Sequence, residues 1–197
     1  DFSAFRPDIL LTFGGMVVSK RIKSFLRNYK PTHHWHVDTI RAYDTYGALS
    51  QHFKTDCTTF LSGILSHRTI ESNYKAIIAA IWKDRLTQHE LYTQTIPFSD
   101  FKVFDFICKN LPKNSQLQVS NSSAIRYLQL FDLDKSVQVF CNRGTSGIDG
   151  STSTAIGAAL ASNLPTMLIT GDISFLYDSN ALWNSYIPKN FKIILLN

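Results

Sequence analysis

An aspartate that follows a glycine at the end of an apolar run can hold a cation where a ligand is able to reach it. Met167-Leu168-Ile169-Thr170 is such a run, and Gly171-Asp172-Ile173-Ser174 closes it. In open parallel sheets ligands gather at the carboxyl ends of strands. A carboxylate there suits a hard cation together with phosphate oxygens. Alone, the pair reads as an ordinary strand-to-helix turn in which the aspartate caps the helix, but the preceding stretch changes that reading. Asn142-Arg143-Gly144-Thr145-Ser146-Gly147-Ile148-Asp149-Gly150 is a glycine-rich connection leading into a helix of small residues. A third stretch, Asn121-Ser122-Ser123-Ala124-Ile125-Arg126, follows a strand pattern and opens a helix; by itself its Ser-Ser pair is a cap. Arg126 lies one helical turn in from Ser122, and Arg143 ends the next strand, so both guanidiniums can face one crevice. A planar guanidinium binds a carboxylate bidentately, which suits a substrate rich in carboxylates. Lys20 stands at a helix start, where free backbone N–H groups favour anions, although by itself it is a solvated lysine. Its loop, Gly14-Gly15-Met16-Val17-Val18-Ser19-Lys20, lacks the spacing of the dinucleotide fingerprint, so NAD and FAD are not supported.

The elements that must position these groups alternate. Residues 8–13 form a short apolar strand. Ser19 caps a helix whose apolar face is Ile22, Phe25, Leu26 and Tyr29, and Pro31 ends it. A strand over 34–38 completes a βαβ unit and implies a parallel sheet. Residues 41–65 read as a loop with one short strand over 58–61. Tyr74, Ile77, Ile78, Ile81 and Trp82 stripe a helix running to about Leu91, and Ser99 caps another through Val103, Phe104, Ile107 and Leu111. Strands over 116–119, 137–141, 166–170 and 192–196 then alternate with helices over 122–131, 152–162 and 180–186. The small residues Ala155, Gly157, Ala158, Ala159 and Ala161 predict close packing of the second of these helices against a helix, the sheet or another subunit. The fold class is therefore α/β, with parallel sheets covered by helices on both faces. A domain boundary falls near residue 72, which separates 1–72 from 73–197.

Composition narrows the function classes. Hydrophobic residues make up 44% and charged residues 18%, as in an ordinary globular protein. No apolar run approaches the roughly 20 residues that cross a bilayer, so no membrane partner is expected. The net charge of +5 is spread along the chain rather than clustered, which argues against nucleic acid. Cys57, Cys108 and Cys141 are far apart and odd in number; they fit a reducing cytoplasm rather than a zinc site or disulfide framework. His33-His34-Trp35-His36 invites a metal, but no acidic or cysteine ligand lies nearby, so a satisfied surface or interface pair is the better reading. Asp1 in place of an initiator methionine, and a strand pattern that stops at Asn197, suggest a piece of a longer protein.

Gly171-Asp172, with an apolar strand ending in Asn197 about 25 residues later, resembles the motif of the thiamine-diphosphate enzymes. That motif runs Gly-Asp-Gly, a helix, then a strand ending Asn-Asn. Asn142-Arg143-Gly144 and Ser146-Gly147-Ile148-Asp149-Gly150 are similar to the carboligating synthases of menaquinone biosynthesis. Ile173 departs from the general motif, where glycine is usual, but those synthases also carry an aliphatic residue there. The resemblance covers about 115–197 and extends, through Ser19-Lys20, to about 8–38. It implies part of a central Rossmann-like domain over 1–72, then most of a diphosphate- and Mg-binding domain over 73–197. It implies thiamine diphosphate with Mg²⁺ or Mn²⁺, the metal on Asp172. It puts Asn121, Ser122, Ile148, Gly171, Asp172, Ile173 and Ser174 at the cofactor, with Ile148 holding it bent. Lys20, Arg126 and Arg143 fall to substrate. The implied activity is that of a cytoplasmic, homodimeric or homotetrameric transferase. It decarboxylates 2-oxoglutarate and adds the succinyl-semialdehyde unit to isochorismate. The family's activating glutamate belongs to an N-terminal domain and no residue here matches it, so no catalytic residue is assigned. Asn197 matches only the first asparagine of the closing pair. Two alternatives stand beside this reading: another thiamine-diphosphate lyase or decarboxylase, or a non-enzymatic anion- or nucleotide-binding α/β module.

Overall fold

The computed structural model describes residues 2–17, 19–66 and 71–197; Val18 of the loop before Lys20, and Asp1, lie outside the described residues. The chain divides into two compact units, Asp1–Leu86 and Thr87–Asn197, with the division inside a long helix. Both are α/β with parallel strands throughout.

The first unit runs β1 (Ile9–Phe13), α1 (Lys20–Asn28), β2 (His33–Val37), β3 (Leu49–Phe53), α2 (Cys57–Leu65) and into α3 (Tyr74–Thr95). Its sheet has the order β1-β2-β3. The predicted βαβ unit is present. The Ser19 hydroxyl accepts the Ile22 N–H at 3.3 Å and so starts α1, Leu26 is buried, and Phe25 stacks on Tyr29 at 5.2 Å. Of the loop expected over 41–65, residues 41–48 carry no helix or strand, but β3 and α2 occupy most of 49–65. Both Asp56 carboxylate oxygens bond Thr59, one to its N–H at 2.9 Å and one to its hydroxyl at 2.6 Å, and this cap turns residues 58–61 into helix. The β-branched Thr58 and Thr59 suggest strand, yet a local cap outweighs their weak propensity. The polar sequence of β3 hides it, because Ser50 and Gln51 lie exposed on an edge strand.

The second unit continues through α4 (Asp100–Asn110), β4 (Gln116–Val119), α5 (Ser123–Leu128), β5 (Gln138–Cys141), α6 (Ser151–Ala161), β6 (Thr166–Gly171), α7 (Asp172–Tyr177) and β7 (Phe191–Leu196). The strand order is β5-β4-β6-β7. All four residues of β4 are buried, and successive side chains point to opposite faces, so both faces of the sheet are covered there. Phe104, Ile107, Leu117, Val119, Ala124, Ile125, Leu128, Val137 and Ile169 form the core.

Two expectations need correction here. The last crossover helix lies not over 180–186 but at Asp172–Tyr177, directly after the strand, with a 3₁₀ turn at Ser179–Leu182. Trp183 and Tyr186 are exposed, so their apolar spacing marks no buried face. Ser99 stands at the N-cap position of α4, but its hydroxyl bonds the Pro97 carbonyl instead of capping the helix. The small residues of α6 divide: Ala155 and Ala159 are buried, whereas Gly157 is exposed and a Cβ added there would meet nothing within 4 Å.

Candidate functional site

The chain leaves β4 towards β5 on one side and leaves β6 towards β7 on the other. The connections of two adjacent strands therefore diverge between β4 and β6, and the crevice outside such a switch point is where open α/β sheets bind ligands. Ser120-Asn121-Ser122 flanks it from β4, and Thr170-Gly171-Asp172 from β6. The register pairs Val119 with both Cys141 and Ile169, so Asn121, Arg143 and Gly171 stand at matching heights on three neighbouring strands. The Ser120 N–H donates to the Ile169 carbonyl at 2.9 Å, and the Ser120 hydroxyl to Thr170 Oγ1 at 2.7 Å. Both hydroxyl residues are fully buried, and they fasten the two lips together.

Asn121 is 3% exposed and organises the loop that follows β5. Its Nδ2 donates to the Asn142 carbonyl and, at 2.5 Å, to the Gly147 carbonyl; its Oδ1 accepts from Arg143 Nη1 at 3.0 Å. The Asn142 side chain donates to the Gly150 carbonyl at 3.2 Å and to Thr154 Oγ1 at 3.0 Å, tying the loop to α6. Burial raises the Cys141 thiol above its ordinary pKa, with Arg143 pulling the other way.

Across the crevice, the Ser174 hydroxyl donates to the Ile148 carbonyl at 2.5 Å. Asp178 Oδ2 accepts from the Ser153 N–H at 2.7 Å and from its hydroxyl at 3.0 Å. Gly150, the N-cap of α6, has φ +69° and no side chain to cap with, so Asp178 serves that helix from 25 residues away. Ile148 and Asp172 are thus held by one hydrogen-bonded frame.

Of the residues singled out from sequence, Asn121, Ser122, Arg143, Ile148, Gly171, Asp172, Ile173 and Ser174 meet around this switch point. Asp172 opens α7, partly exposed, and its carboxylate makes no hydrogen bond to another described residue. A Cβ built on Gly171 would meet nothing within 4 Å, which leaves room for a ligand against the backbone. An unpaired hard carboxylate beside open backbone fits a divalent cation and a diphosphate. Arg126 lies on the exposed side of α5, opposite the buried Ala124, Ile125 and Leu128. Ser122 is exposed at φ +72°, ψ −129°, a strained conformation for a non-glycine residue, and its side chain makes no capping bond. Lys20 belongs to the first unit, exposed at the start of α1.

Sequence reasoning missed Ser120, Thr170, Ser153 and Asp178 as parts of the frame. None sits in a spacing that announces a partner, because the pairs lie 50 and 25 residues apart. In the first unit, His34 and His36 share the Thr12 hydroxyl at 2.8 and 2.9 Å, and His52 bonds the Asp38 carbonyl. Burial lowers the His34 pKa. Among the described residues no group of three His, Cys, Asp or Glu is arranged to hold a metal, and no helix is long and apolar enough to cross a membrane.

A family model described as the middle domain of thiamine pyrophosphate matches residues 5–119. Relatives named 2-succinyl-5-enolpyruvyl-6-hydroxy-3-cyclohexene-1-carboxylate synthase are similar along the chain. Those of Flavobacterium johnsoniae and Flavobacterium psychrophilum are 62% and 63% identical over all of it and 36% of their own length. That of Bacteroides thetaiotaomicron is 40% identical over 97% of it and 34% of its own length. The chain therefore spans about a third of the curated relatives it matches. With the middle-domain match covering more than half of its residues, the chain belongs to the family of thiamine pyrophosphate enzymes.

Proposed function

We propose that this chain is part of a thiamine-diphosphate-dependent carboligating transferase of menaquinone biosynthesis. The intact protein decarboxylates 2-oxoglutarate and joins the remaining four-carbon unit to isochorismate. The observation that carries the reading is the meeting, at one switch point, of a protein-unpaired Asp172 and a guanidinium clamped at Arg143. Residues 1–72 then contribute to the central domain and 73–197 to the diphosphate-binding domain. Asp172 holds Mg²⁺ or Mn²⁺ against the diphosphate, with Gly171, Ile173 and Ser174 lining the backbone approach. Ile148, fixed through its carbonyl by Ser174, sets the shape of the cofactor cleft. Thiamine diphosphate, when bound, supplies the electron sink that lets a 2-oxo acid lose CO₂. In the second unit Arg126 and Arg143 supply charge and a directed fork for carboxylates, and Lys20 of the first unit is a further substrate-binding group of the intact protein. Activity belongs to a homo-oligomer of the intact protein in the cytoplasm.

Calorimetry on the intact protein tests this with thiamine diphosphate and Mg²⁺, against ATP and NAD as competitors for the same reading of the sheet. The expected result is metal-dependent binding of thiamine diphosphate alone, and turnover of 2-oxoglutarate with isochorismate. Binding of ATP or NAD in its place would favour a nucleotide-binding module.

A further inference from the structure

We propose that Asn121 is a positioning residue that acts through Arg143, and that its side chain does not itself contact the cofactor. The inference rests on the reading of Arg143 as a substrate-binding group. A primary amide has two N–H hydrogens to donate and two lone pairs with which to accept. Both hydrogens of Asn121 are used on the Asn142 and Gly147 carbonyls, the two ends of the loop that carries Arg143. Its oxygen accepts from Arg143 Nη1 at 3.0 Å and faces Cys141 Sγ at 3.6 Å. The orientation of the amide is settled by these partners, because turning it over would set oxygen against two carbonyl oxygens and nitrogen against a guanidinium. At 3% exposure, with every strong bond spent inside the protein, the side chain has nothing left for a ligand.

What it does instead is hold one nitrogen of the Arg143 fork while closing the loop behind it. An arginine steered in this way keeps Nε and Nη2 aligned for a carboxylate and loses little freedom when one binds. The two flanking contacts explain why an amide stands here. Aspartate would repel both carbonyls and neutralise the guanidinium, and leucine would leave two carbonyls and a guanidinium N–H without partners.

The test is a double-mutant cycle in the intact protein, with KM and kcat for 2-oxoglutarate and isochorismate, and the thiamine diphosphate Kd by calorimetry. Arg143→Ala raises the KM of the carboxylate substrate it holds. Asn121→Ala should raise that same KM on the order of tenfold, as expected for a misplaced charge-assisted bond. The double variant should be no worse than Arg143→Ala within about twofold, since residues acting as one unit are not additive. Cofactor affinity should stay at the wild-type value. A merely structural asparagine would lower the yield of folded protein and leave the KM of the folded fraction unchanged. If Asn121→Ala does not fold, Asn121→Ser enters the same cycle. Multiplicative losses in the double variant, or lost cofactor affinity with KM unchanged, overturn the inference alone. An Arg143→Ala enzyme with both KM values unchanged overturns the substrate reading and this inference together.

Discussion

Asp172 opens α7 at the switch point with no hydrogen bond from another described residue to its carboxylate, whereas Asp178, six residues on, is buried and spends Oδ2 on both the N–H and the hydroxyl of Ser153. Two aspartates of one segment thus have opposite tasks. We predict that Asp172→Ala abolishes Mg²⁺-dependent binding of thiamine diphosphate to the intact protein while shifting stability by no more than about 0.5 kcal/mol, as at other exposed sites. Calorimetry with a thermal melt checks both halves, and wild-type cofactor affinity would sink the metal assignment. Arg126 and Arg143 should fail differently: alanine at either loses substrate affinity or turnover with the cofactor still bound. The cost is about 1.5–3 kcal/mol per charge-assisted bond, and lysine rescues poorly for want of the fork. Steady-state kinetics that stay normal in both alanine variants would refute the carboxylate clamp. Cys108 is a residue the site does not use. Burial, and then the charge of Asp105, push its thiol up to about 11. Burial penalises the thiolate, so the reactive form appears only as pH approaches that value. Alkylation by iodoacetamide followed by mass spectrometry should leave Cys108 unmodified at pH 8 under native conditions; modification as fast as in the unfolded chain would contradict it.

At the scale of elements, the N-terminus of α6 is fixed from outside. Gly150 supplies the left-handed turn, and Asp178 supplies the acceptor for Ser153. We expect Asp178→Ala to cost about 0.5–2 kcal/mol, the usual range for a lost N-terminal cap. Asp178→Asn, which keeps an acceptor, should lose less. Thermal denaturation of the two variants decides this, and equal melting points for alanine and wild type would show that the helix needs no remote cap. The turn between β4 and α5 makes the opposite case. Ser122 stores strain at φ +72°, and glycine adopts that conformation freely. Ser122→Gly should therefore stabilise by on the order of 1 kcal/mol. If the hydroxyl touches the cofactor or substrate, the same change lowers activity as it raises the melting temperature. A melting temperature that falls would show that the serine side chain, and not the backbone, sets the turn.

Across the whole molecule, the site depends on the second unit's sheet staying in register. Phe104 and Leu117 are fully buried, and Phe104 stacks on Tyr127 with centroids 5.6 Å apart. Tyr127 lies on α5, the helix that follows Asn121-Ser122, so core packing supports the site directly. Phe104→Ala should cost about 3–5 kcal/mol through lost burial and the cavity left behind. Chemical denaturation of the variant measures this, and a cost below about 1 kcal/mol would mean that α4 is not part of the core that holds the sheet.

The sequence by itself determined the class of fold and most of the strands. Apolar period, glycine position and side-chain type are local properties: β4 falls at 116–119 as expected, and Gly171-Asp172 falls at the end of a strand as expected. It also determined the family, because Asn142 to Asp149 and Gly171 to Ser174 are contiguous motifs. Where local signals compete, it misled: Thr58 and Thr59 favour strand until Asp56 caps them, and the 180–186 spacing imitates a helix that α7 forms earlier. Only the tertiary structure decided the strand order that sets the switch point between β4 and β6. It alone decided that Ser120 would meet Thr170, that Asp178 would cap α6, and that Asn121 would face Arg143 rather than solvent. Each of these contacts joins residues 22 to 50 positions apart. Their cost in chain entropy is repaid only by the packing of the whole sheet, and no local pattern encodes it.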